Sequence, residues 1–395
     1  SLGILPLLAS DDPRIVDSKK YQVKAKEWAH KLILSEANID LRKSDATPRG
    51  SKLAWSDSYK LLVLSEYYYK TRDEAVFPTL EAYAIHYAKN QSWFGTTGHN
   101  YATKKVDGSN NGPMAGYGAI NGTGAASFYG MLLARKVGVK SVELDAAIQR
   151  AENFFSSFSE KSGIPYGEHS YGLGGSMYDM NGKNATVALA FMLQKHRSKE
   201  NKFFARMAMA SSKDRQNSHA GPFFNYMWPA LGAASVGEGS ASHYLKRTAW
   251  LNDLDRRWDG EIVHSHYGHS AKYRNFPPEV TMLLTYALPF RQLHMTGRDH
   301  DASRGLTKKE MDDTIASEDY QSSEATSGQL IKAISNWSPV VRQSTFKEMQ
   351  KRFKKSDEKA EVAQTIQAIL KDPAADRIQK AGSCLALGMI ADPTC

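Results

Sequence analysis

The fold is decided by the stretch Leu144-Asp-Ala-Ala-Ile-Gln-Arg-Ala-Glu-Asn-Phe-Phe-Ser-Ser-Phe158, in which apolar side chains recur every three or four residues. That spacing places them on one face of a helix, so the stretch predicts an amphipathic α-helix with a buried stripe. Similar stripes recur along the first three quarters of the chain, and no run of alternating Val, Ile and Thr competes with them. The sequence therefore predicts an all-α protein, with at most short hairpins in its loops.

The predicted helices come in pairs, and the pairs repeat. Asn121-Gly-Thr-Gly-Ala-Ala126 opens one small-residue helix, and Asn181-Gly-Lys-Asn-Ala-Thr186 opens another further along the chain. Each is followed by a helix that carries a Phe pair, Phe154-Phe155 and then Phe203-Phe204. Small residues allow helices to crowd around a central axis, and the Phe-bearing helices can pack outside them. Such a repeat, with long Gly-rich loops, favours a closed (α/α) toroid over an open solenoid.

The chain divides into three predicted parts. Residues 1–295 form the toroid domain, and the polar residues 296–327 are interpreted as a linker with at most one short helix. Residues 328–395 carry closely spaced helices, and Asp372-Pro373 before a small-residue helix is typical of a HEAT-type repeat. Such repeats contact other proteins, so the tail is a candidate site for a protein partner. Because the chain stops where a repeat would continue, we expect a fragment of a longer protein.

Composition narrows the range of partners. The formal net charge is +9, which favours acidic partners, namely anionic glycans, nucleic acid or phospholipid headgroups. No apolar run approaches the roughly 20 residues that a membrane span needs, so no span is predicted. The densest basic stretch, Lys347–Lys355, is typical of a solvated helix face, and nucleic-acid binding is not predicted. Cys384 and Cys395 lack metal-ligand spacing.

Histidines stand in the loops that precede the predicted inner helices. They are His99, His169, His219, His264, His266 and His269. In an alternating toroid, every loop that enters an inner helix lies on the same rim, where the positive ends of the inner helix dipoles also point. We therefore expect these histidines to converge on one basic mouth that suits an anion. Taken singly, a loop histidine is more often a hydrogen-bonding staple.

Two kinds of glycan chemistry could use such a mouth. In a lyase, Asn or His neutralises a uronate while Tyr or His removes a proton. The candidates for these roles are His99, Asn100, Tyr101, His169, Tyr171 and His219. In a hydrolase, two carboxylates flank the scissile bond, and Glu168 and Glu238 are the candidates, with Asp179 also in or beside the rim loops.

Substrate binding would fall to flat side chains, which stack on sugar rings. The candidates are Trp93, Tyr226, Trp228, His266 and Tyr267. For the aromatic run Phe223–Trp228, core packing is the alternative. The spacing of His264, His266 and His269 suits a divalent metal, but no acidic fourth ligand is obvious nearby, so neither a metal nor another cofactor is predicted. Nucleotide-binding, serine-hydrolase and zinc-protease motifs are absent from the sequence.

Four short motifs carry a family resemblance. They are Trp93-Phe-Gly-Thr-Thr-Gly-His99, Asn181-Gly-Lys-Asn184, Phe203-Phe-Ala-Arg-Met207 and Arg256-Arg-Trp-Asp-Gly260. Between about 55 and 295 the chain resembles a bacterial domain-of-unknown-function family of planctomycete and verrucomicrobial type, found as secreted proteins with a PDZ-like segment and HEAT-like repeats. The resemblance implies an (α/α) toroid, a secreted or periplasmic location and a missing N-terminal segment. It supplies no catalytic residues.

The leading hypothesis from the sequence is a glycan-active enzyme that degrades an anionic extracellular polysaccharide, by β-elimination or by hydrolysis. This hypothesis depends partly on analogy, since toroids are common among such enzymes and a fold does not fix a function. The alternative is a non-catalytic toroid that binds glycan or protein as a scaffold. An isoprenoid cyclase is disfavoured, because the Asp-rich motif that holds magnesium is not evident.

Overall fold

The structure is a computed structural model of the chain. It describes residues 2–12, 17–34, 38–39, 52–114, 116, 118–167, 178–179, 181–215, 223–263 and 278–390. Within these ranges the regular structure is α-helix and short 3-10 helix, and the only extended pairing is an isolated bridge between Arg256 and Ile262. The predicted all-α class is confirmed.

A ring of helices forms the larger part of the described chain. Its helices are α1 (Ile4–Ala9), α2 (Ser18–His30), α3 (Leu53–Thr71), α4 (Phe77–Asn90), α5 (Asn121–Val137), α6 (Val142–Ser156), α7 (Lys183–Met192), α8 (Ser198–Met209), α9 (Phe223–Ala234), α10 (Glu238–Asp255) and α11 (Pro278–Tyr286). The odd-numbered helices contact one another in chain order, and α11 contacts α1 again. Each even-numbered helix packs outside the odd-numbered helix before it. This is the arrangement of paired helices that an (α/α) toroid requires.

Helix α6 shows how local sequence sets an element. Ser141 precedes the helix, and its hydroxyl accepts a hydrogen bond from Leu144 N at 3.3 Å. A serine in this position satisfies one of the amide groups that a helix start leaves unpaired, and is worth about 1 kcal/mol. The apolar stripe that follows is buried at Leu144, Ala147 and Ile148, as its spacing predicts.

The Phe pairs join the outer helices to the inner ones. Phe155 of α6 stacks on Phe128 of α5, with ring centroids 5.6 Å apart. Phe204 of α8 stacks on Phe191 of α7 in the same way, at 5.9 Å. All four rings are buried, and each contributes about 2 to 3 kcal/mol by leaving water. The repeated contact confirms the helix pairs that the sequence predicts.

Small residues let the inner helices approach closely. A Cβ atom added to Gly232 of α9 would lie 2.6 Å from Cα of Ala185 on α7. Two carbon atoms cannot approach so closely, so only glycine fits at this crossing. At Gly130 of α5, an added Cβ atom would lie 3.1 Å from Cγ of Leu61 on α3. The small-residue pattern therefore marks the inner ring, as predicted.

The two ends of the ring differ in their connections. Each connection into an inner helix is long, and the shortest of them (210–222) still spans thirteen residues. Each connection from an inner to an outer helix is short, and the longest of them (10–17) spans eight. We call the end where the inner helices begin the mouth, and the end where they finish the far end. The inner helices therefore all begin at one end of the ring, as the alternation of inner and outer helices predicts.

Five helices follow the ring. They are α12 (Lys308–Glu318), α13 (Ser327–Ala333), α14 (Pro339–Phe353), α15 (Lys359–Lys371) and α16 (Arg377–Met389). The last four enclose a core of their own around Leu330, Phe346, Met349 and Ile366. This core is separate from the core of the ring.

The segment 296–327, predicted as a polar linker, is held against the ring. It contains α12, which begins at Thr307 with a reciprocal capping box to Glu310. Glu310 also pairs with Lys202 of α8 at 2.9 Å. The segment is polar because it lies on the outer surface and bonds across to an outer helix. Sequence polarity alone does not separate such a segment from a free linker.

Among the described residues, none of the helices combines the length and the apolarity that crossing a bilayer demands.

Candidate functional site at the mouth of the helix ring

Four aromatic side chains stack across the mouth. Trp55 and Tyr59 come from the first turns of α3, and Phe224 and Trp228 come from α9. Phe224 lies parallel to both Trp55 and Tyr59, with ring centroids 5.7 and 5.6 Å apart. Helices α3 and α9 are opposite members of the ring, so these rings meet near its axis. We call these four residues the aromatic cluster.

Only one face of the aromatic cluster reaches solvent. Tyr59, Phe224 and Trp228 are buried, whereas Trp55 is partly exposed. Trp228 packs directly against Gly182. A Cβ atom added to Gly182 would lie 2.4 Å from Cβ of Trp228, and the φ of this glycine, +66°, lies in the left-handed region. The cluster therefore presents a fixed indole ring, supported on further rings, at the start of α3.

His99 fixes the edge of that indole. Trp55 Nε1 donates to His99 Nδ1 at 2.9 Å. Because an indole N–H can only donate, Nδ1 must accept, and the neutral imidazole carries its hydrogen on Nε2. Burial lowers the pKa of His99, and the nearby Lys52 lowers it further. His99 is therefore suited to donate a hydrogen bond from Nε2 and unsuited to remove a proton at Nδ1.

Asn100 and Tyr101 follow His99 and are held by α3. Asn100 Oδ1 accepts from Leu53 N at 3.2 Å, which caps the start of that helix. Tyr101 is buried, and its hydroxyl donates to Asp57 Oδ2 at 2.9 Å. Lys60 Nζ lies 3.5 Å from the other oxygen of Asp57. The predicted trio His99, Asn100 and Tyr101 thus lies together at the mouth, with Tyr101 set beneath its surface.

A buried charge pair stands at the start of α7. Asp179 accepts from the backbone N–H groups of Asn184 and Ala185, at 3.0 and 2.9 Å. Burial raises the pKa of Asp179 and lowers the pKa of Lys183. Both shifts have the same cause, since a low-dielectric site disfavours each charged form. Asp179 and Lys183 therefore place two further ionisable groups at the mouth, next to Gly182, which contacts Trp228.

Two predicted substrate-binding residues lie away from the exposed face of the aromatic cluster. Trp93 is 62% exposed and packs edge-on against its neighbour Phe94 at 5.3 Å. Tyr226 is buried, and its hydroxyl donates to Asp255 at 2.6 Å. The structure therefore brings Trp228 into the aromatic cluster and leaves Trp93 and Tyr226 outside it.

Glu238 lies at the far end. It is the first residue of α10, it is exposed, and it pairs with Arg291 at 2.9 Å. Phe224 lies in the first turn of α9 and Glu238 lies beyond its last residue, and the 12 residues of this helix extend about 18 Å. The structure does not bring Glu238 together with His99.

The remaining candidates lie outside the described residues. They are Glu168, His169, Tyr171, His219, His266 and Tyr267, together with His264 and His269. The convergence of the histidine-bearing loops therefore stays a prediction. Within the described ranges, no group of three or more His, Cys, Asp and Glu side chains is placed to hold a metal ion.

A polar cluster at the far end was not predicted from the sequence. Tyr129 of α5 donates to Glu66 of α3 at 2.7 Å, and its hydroxyl lies 2.9 Å from His294 Nδ1. Glu66 also accepts from the backbone N–H groups of His294 and Met295. We call Glu66, Tyr129 and His294 the buried triad. The sequence contained one indication of this cluster. Glu66 interrupts the apolar run Leu61–Tyr69, and in a helix that is buried on all sides a charged residue must lie in the interior.

Burial controls the charges of the buried triad. It raises the pKa of Glu66 to about 7, against the opposing hydrogen bond from Tyr129. It lowers the pKa of His294 well below the usual value, so that imidazole stays neutral. The triad ties the segment after α11 to two inner helices and closes the far end.

The fold and the mouth together define a class, a ring of paired helices with an aromatic, cation-bearing opening. Residues 1–297 match the family described as Domain of unknown function (DUF6288), and the chain belongs to that family. The match spans α1 to α11 and stops before α12. It confirms the resemblance to a domain-of-unknown-function family, while bacterial origin and export stay predictions. No curated protein and no solved structure matches the chain.

Proposed function

We propose that the mouth binds anionic glycans and that the protein is a glycan-active enzyme, acting by β-elimination or by hydrolysis on an extracellular polysaccharide. The observation that carries the proposal is the partly exposed Trp55, stacked on Phe224 and fixed at its edge by His99. A rigid aromatic plane beside hydrogen-bond donors is the usual means of binding a sugar ring. An extracellular substrate would require the protein to be exported.

The charges around Trp55 favour an acidic sugar. Lys52 is exposed and acts on His99, and Lys60 lies beside Asp57 beneath the surface. The inner helices also begin here, and each helix start carries about half a positive charge. A uronate carboxylate at this position would meet a lysine, the Nε2–H of His99 and these helix ends. The same donors would stabilise the charge that develops when a lyase removes the adjacent proton.

A panel of uronate-containing and neutral polysaccharides tests the proposal. A lyase would produce the ultraviolet absorbance of an unsaturated sugar, whereas a hydrolase would produce reducing ends without it. Trp55→Ala should remove either activity, because it removes the exposed ring. Trp250→Ala is the matched control, since Trp250 is also exposed (62%) but lies on the outer helix α10. Equal activity in the two variants would contradict a site at Trp55.

A non-catalytic binding role is the second candidate. It is favoured by Tyr101, which is buried and bound to Asp57 and therefore badly placed to exchange a proton with a substrate. In this version the mouth binds the glycan without cleaving it, and the helical tail supplies a HEAT-like surface for a protein partner. Glycan binding that depends on Trp55, with neither absorbance nor new reducing ends, would support this version.

A further inference from the structure

A cavity lies at the far end, away from the mouth. It has a volume of about 350 Å³ and lies between the ends of α5 and α7 and the segment that follows α11. The ionisable side chains that matter here are Arg135, Lys136, Lys195, Asp299, Asp301 and Arg304. The volume is at the small end of the range for ligand pockets. It suits a single small ion or one acidic sugar.

The charge in this cavity is predominantly positive. Arg135 pairs with Asp145 at 3.3 Å, so its charge is largely offset. Asp299 accepts a hydrogen bond from Tyr69, and Asp301 accepts from Ser303. The two aspartates are therefore already engaged. Three cations remain against these two carboxylates, which leaves an excess of positive charge.

Arg304 is the buried cation of the set. It is only 8% exposed. Its Nη1 donates to the carbonyl oxygen of Met192 at 2.5 Å, and its Nη2 donates to that of Phe191 at 3.2 Å. Its Nε is buried and has no hydrogen-bond partner among the described residues. This atom has almost no accessible surface, so a ligand in the cavity would meet the charge of the guanidinium and not this N–H group.

The helix ends at this cavity would by themselves repel an anion, because carbonyl groups give them partial negative charge. Hydrogen-bond donors that bind these carbonyl groups reduce this repulsion. Arg304 binds the last carbonyls of α7, and Gly138 N and Val139 N bind those of α5. Lys136 and Lys195 remain exposed beside the cavity, so each can turn toward a ligand without leaving a buried ion pair.

We propose that this cavity is a binding site for a small oxyanion, held by Lys136, Lys195 and the positive charge of Arg304. The ligand would carry two or more oxygens that share a negative charge. Inorganic sulfate, inorganic phosphate and the carboxylate of a free uronic acid all have such a group. The inference does not depend on the proposed function of the mouth, since the two sites lie at opposite ends of the inner helices.

Thermal unfolding of the full chain tests this site. Sodium sulfate, sodium phosphate and sodium glucuronate are each titrated against sodium chloride at constant ionic strength. We expect a saturable rise in Tm with at least one of the three, and that ligand identifies the source of the oxyanion. In Lys136→Met/Lys195→Met the apparent Kd should rise about tenfold or more, because two charged contacts are lost.

The control is Lys140→Met/Lys199→Met, which removes the same charge from two exposed lysines outside the cavity. It should keep the Kd of the wild type. The general stabilising effect of sulfate affects all three proteins equally and does not saturate. The proposal is overturned if none of the three ligands gives a saturable rise, or if the two double variants change the Kd by the same factor.

Discussion

The mouth and the far end of the same helix ring are chemically different. At the mouth, long connections surround stacked aromatic rings, and one indole face is left partly exposed. At the far end, short connections and the segment after α11 enclose the buried triad. The two ends of one helix ring therefore differ in structure. One end leaves an aromatic surface partly exposed, and the other holds the ring together.

Helix polarity explains much of this difference. The inner helices all begin at the mouth, so their positive ends favour anions there. They all finish at the far end, where unpaired carbonyl groups require donors. Arg304 supplies such donors to α7. Arg304 at the far end thus serves the fold first, whereas Lys52 at the mouth is exposed to solvent.

The largest effect should come from removing the carboxyl group of the buried triad. Glu66→Ala leaves two backbone N–H groups buried without an acceptor, and leaves the Tyr129 hydroxyl with only His294 as a partner. We expect the free energy of unfolding to fall by about 3 to 4 kcal/mol, since each lost acceptor costs about 1 to 3 kcal/mol before relaxation. Urea denaturation at pH 6 measures this change.

The control for that variant is Glu324→Ala, an exposed glutamate of the tail. It should change the free energy of unfolding by less than about 0.5 kcal/mol. Similar losses in the two variants would show that the buried triad does not hold the far end closed.

The next effect is a dependence on pH. Burial raises the pKa of Glu66 to about 7 from an ordinary value of 4.5. A carboxyl group whose pKa is higher in the folded state stabilises that state while it is protonated. This contribution is complete below about pH 4.5 and is lost as the pH rises through 7. Between pH 5 and pH 8 the wild type should therefore lose about 2 to 3 kcal/mol relative to Glu66→Gln. Parallel stability–pH curves for the two proteins would contradict the shift.

The smallest effect concerns the mouth. His99→Ala removes the acceptor of Trp55 Nε1, but this group lies near solvent and can bond to water. We expect a loss of about 1 kcal/mol in the free energy of unfolding. A double-mutant cycle with Trp55→Phe isolates the bond and should give a coupling energy of about 1 kcal/mol. Strict additivity would show that His99 does not fix the indole.

Much of the ring was predictable because its signals are local. The stripe Leu144–Phe158 and the small-residue starts at Asn121 and Asn181 depend on neighbouring residues alone. Their spacing gave the helices, the inner and outer roles and the shared rim. The position of His99 at the mouth followed from this order of helices.

The contacts across the ring could not be predicted in the same way. Tyr129 and His294 are separated by 165 positions, and nothing local to either residue indicates the other. Trp55 and Phe224 meet only because α3 and α9 lie opposite each other. Glu238 was grouped with the mouth because it stands near a loop in the sequence. It actually follows an inner helix and therefore lies at the other end.

The central claim is that the mouth, through Trp55, is the place where a glycan binds. The most direct measurement is a crystal structure after soaking with a mixture of anionic oligosaccharides. The account predicts electron density for a sugar ring stacked on the indole of Trp55, with an acidic group near Lys52 and His99. Density only at the exposed Trp250 of the outer helix α10, or no bound sugar at all, would contradict it.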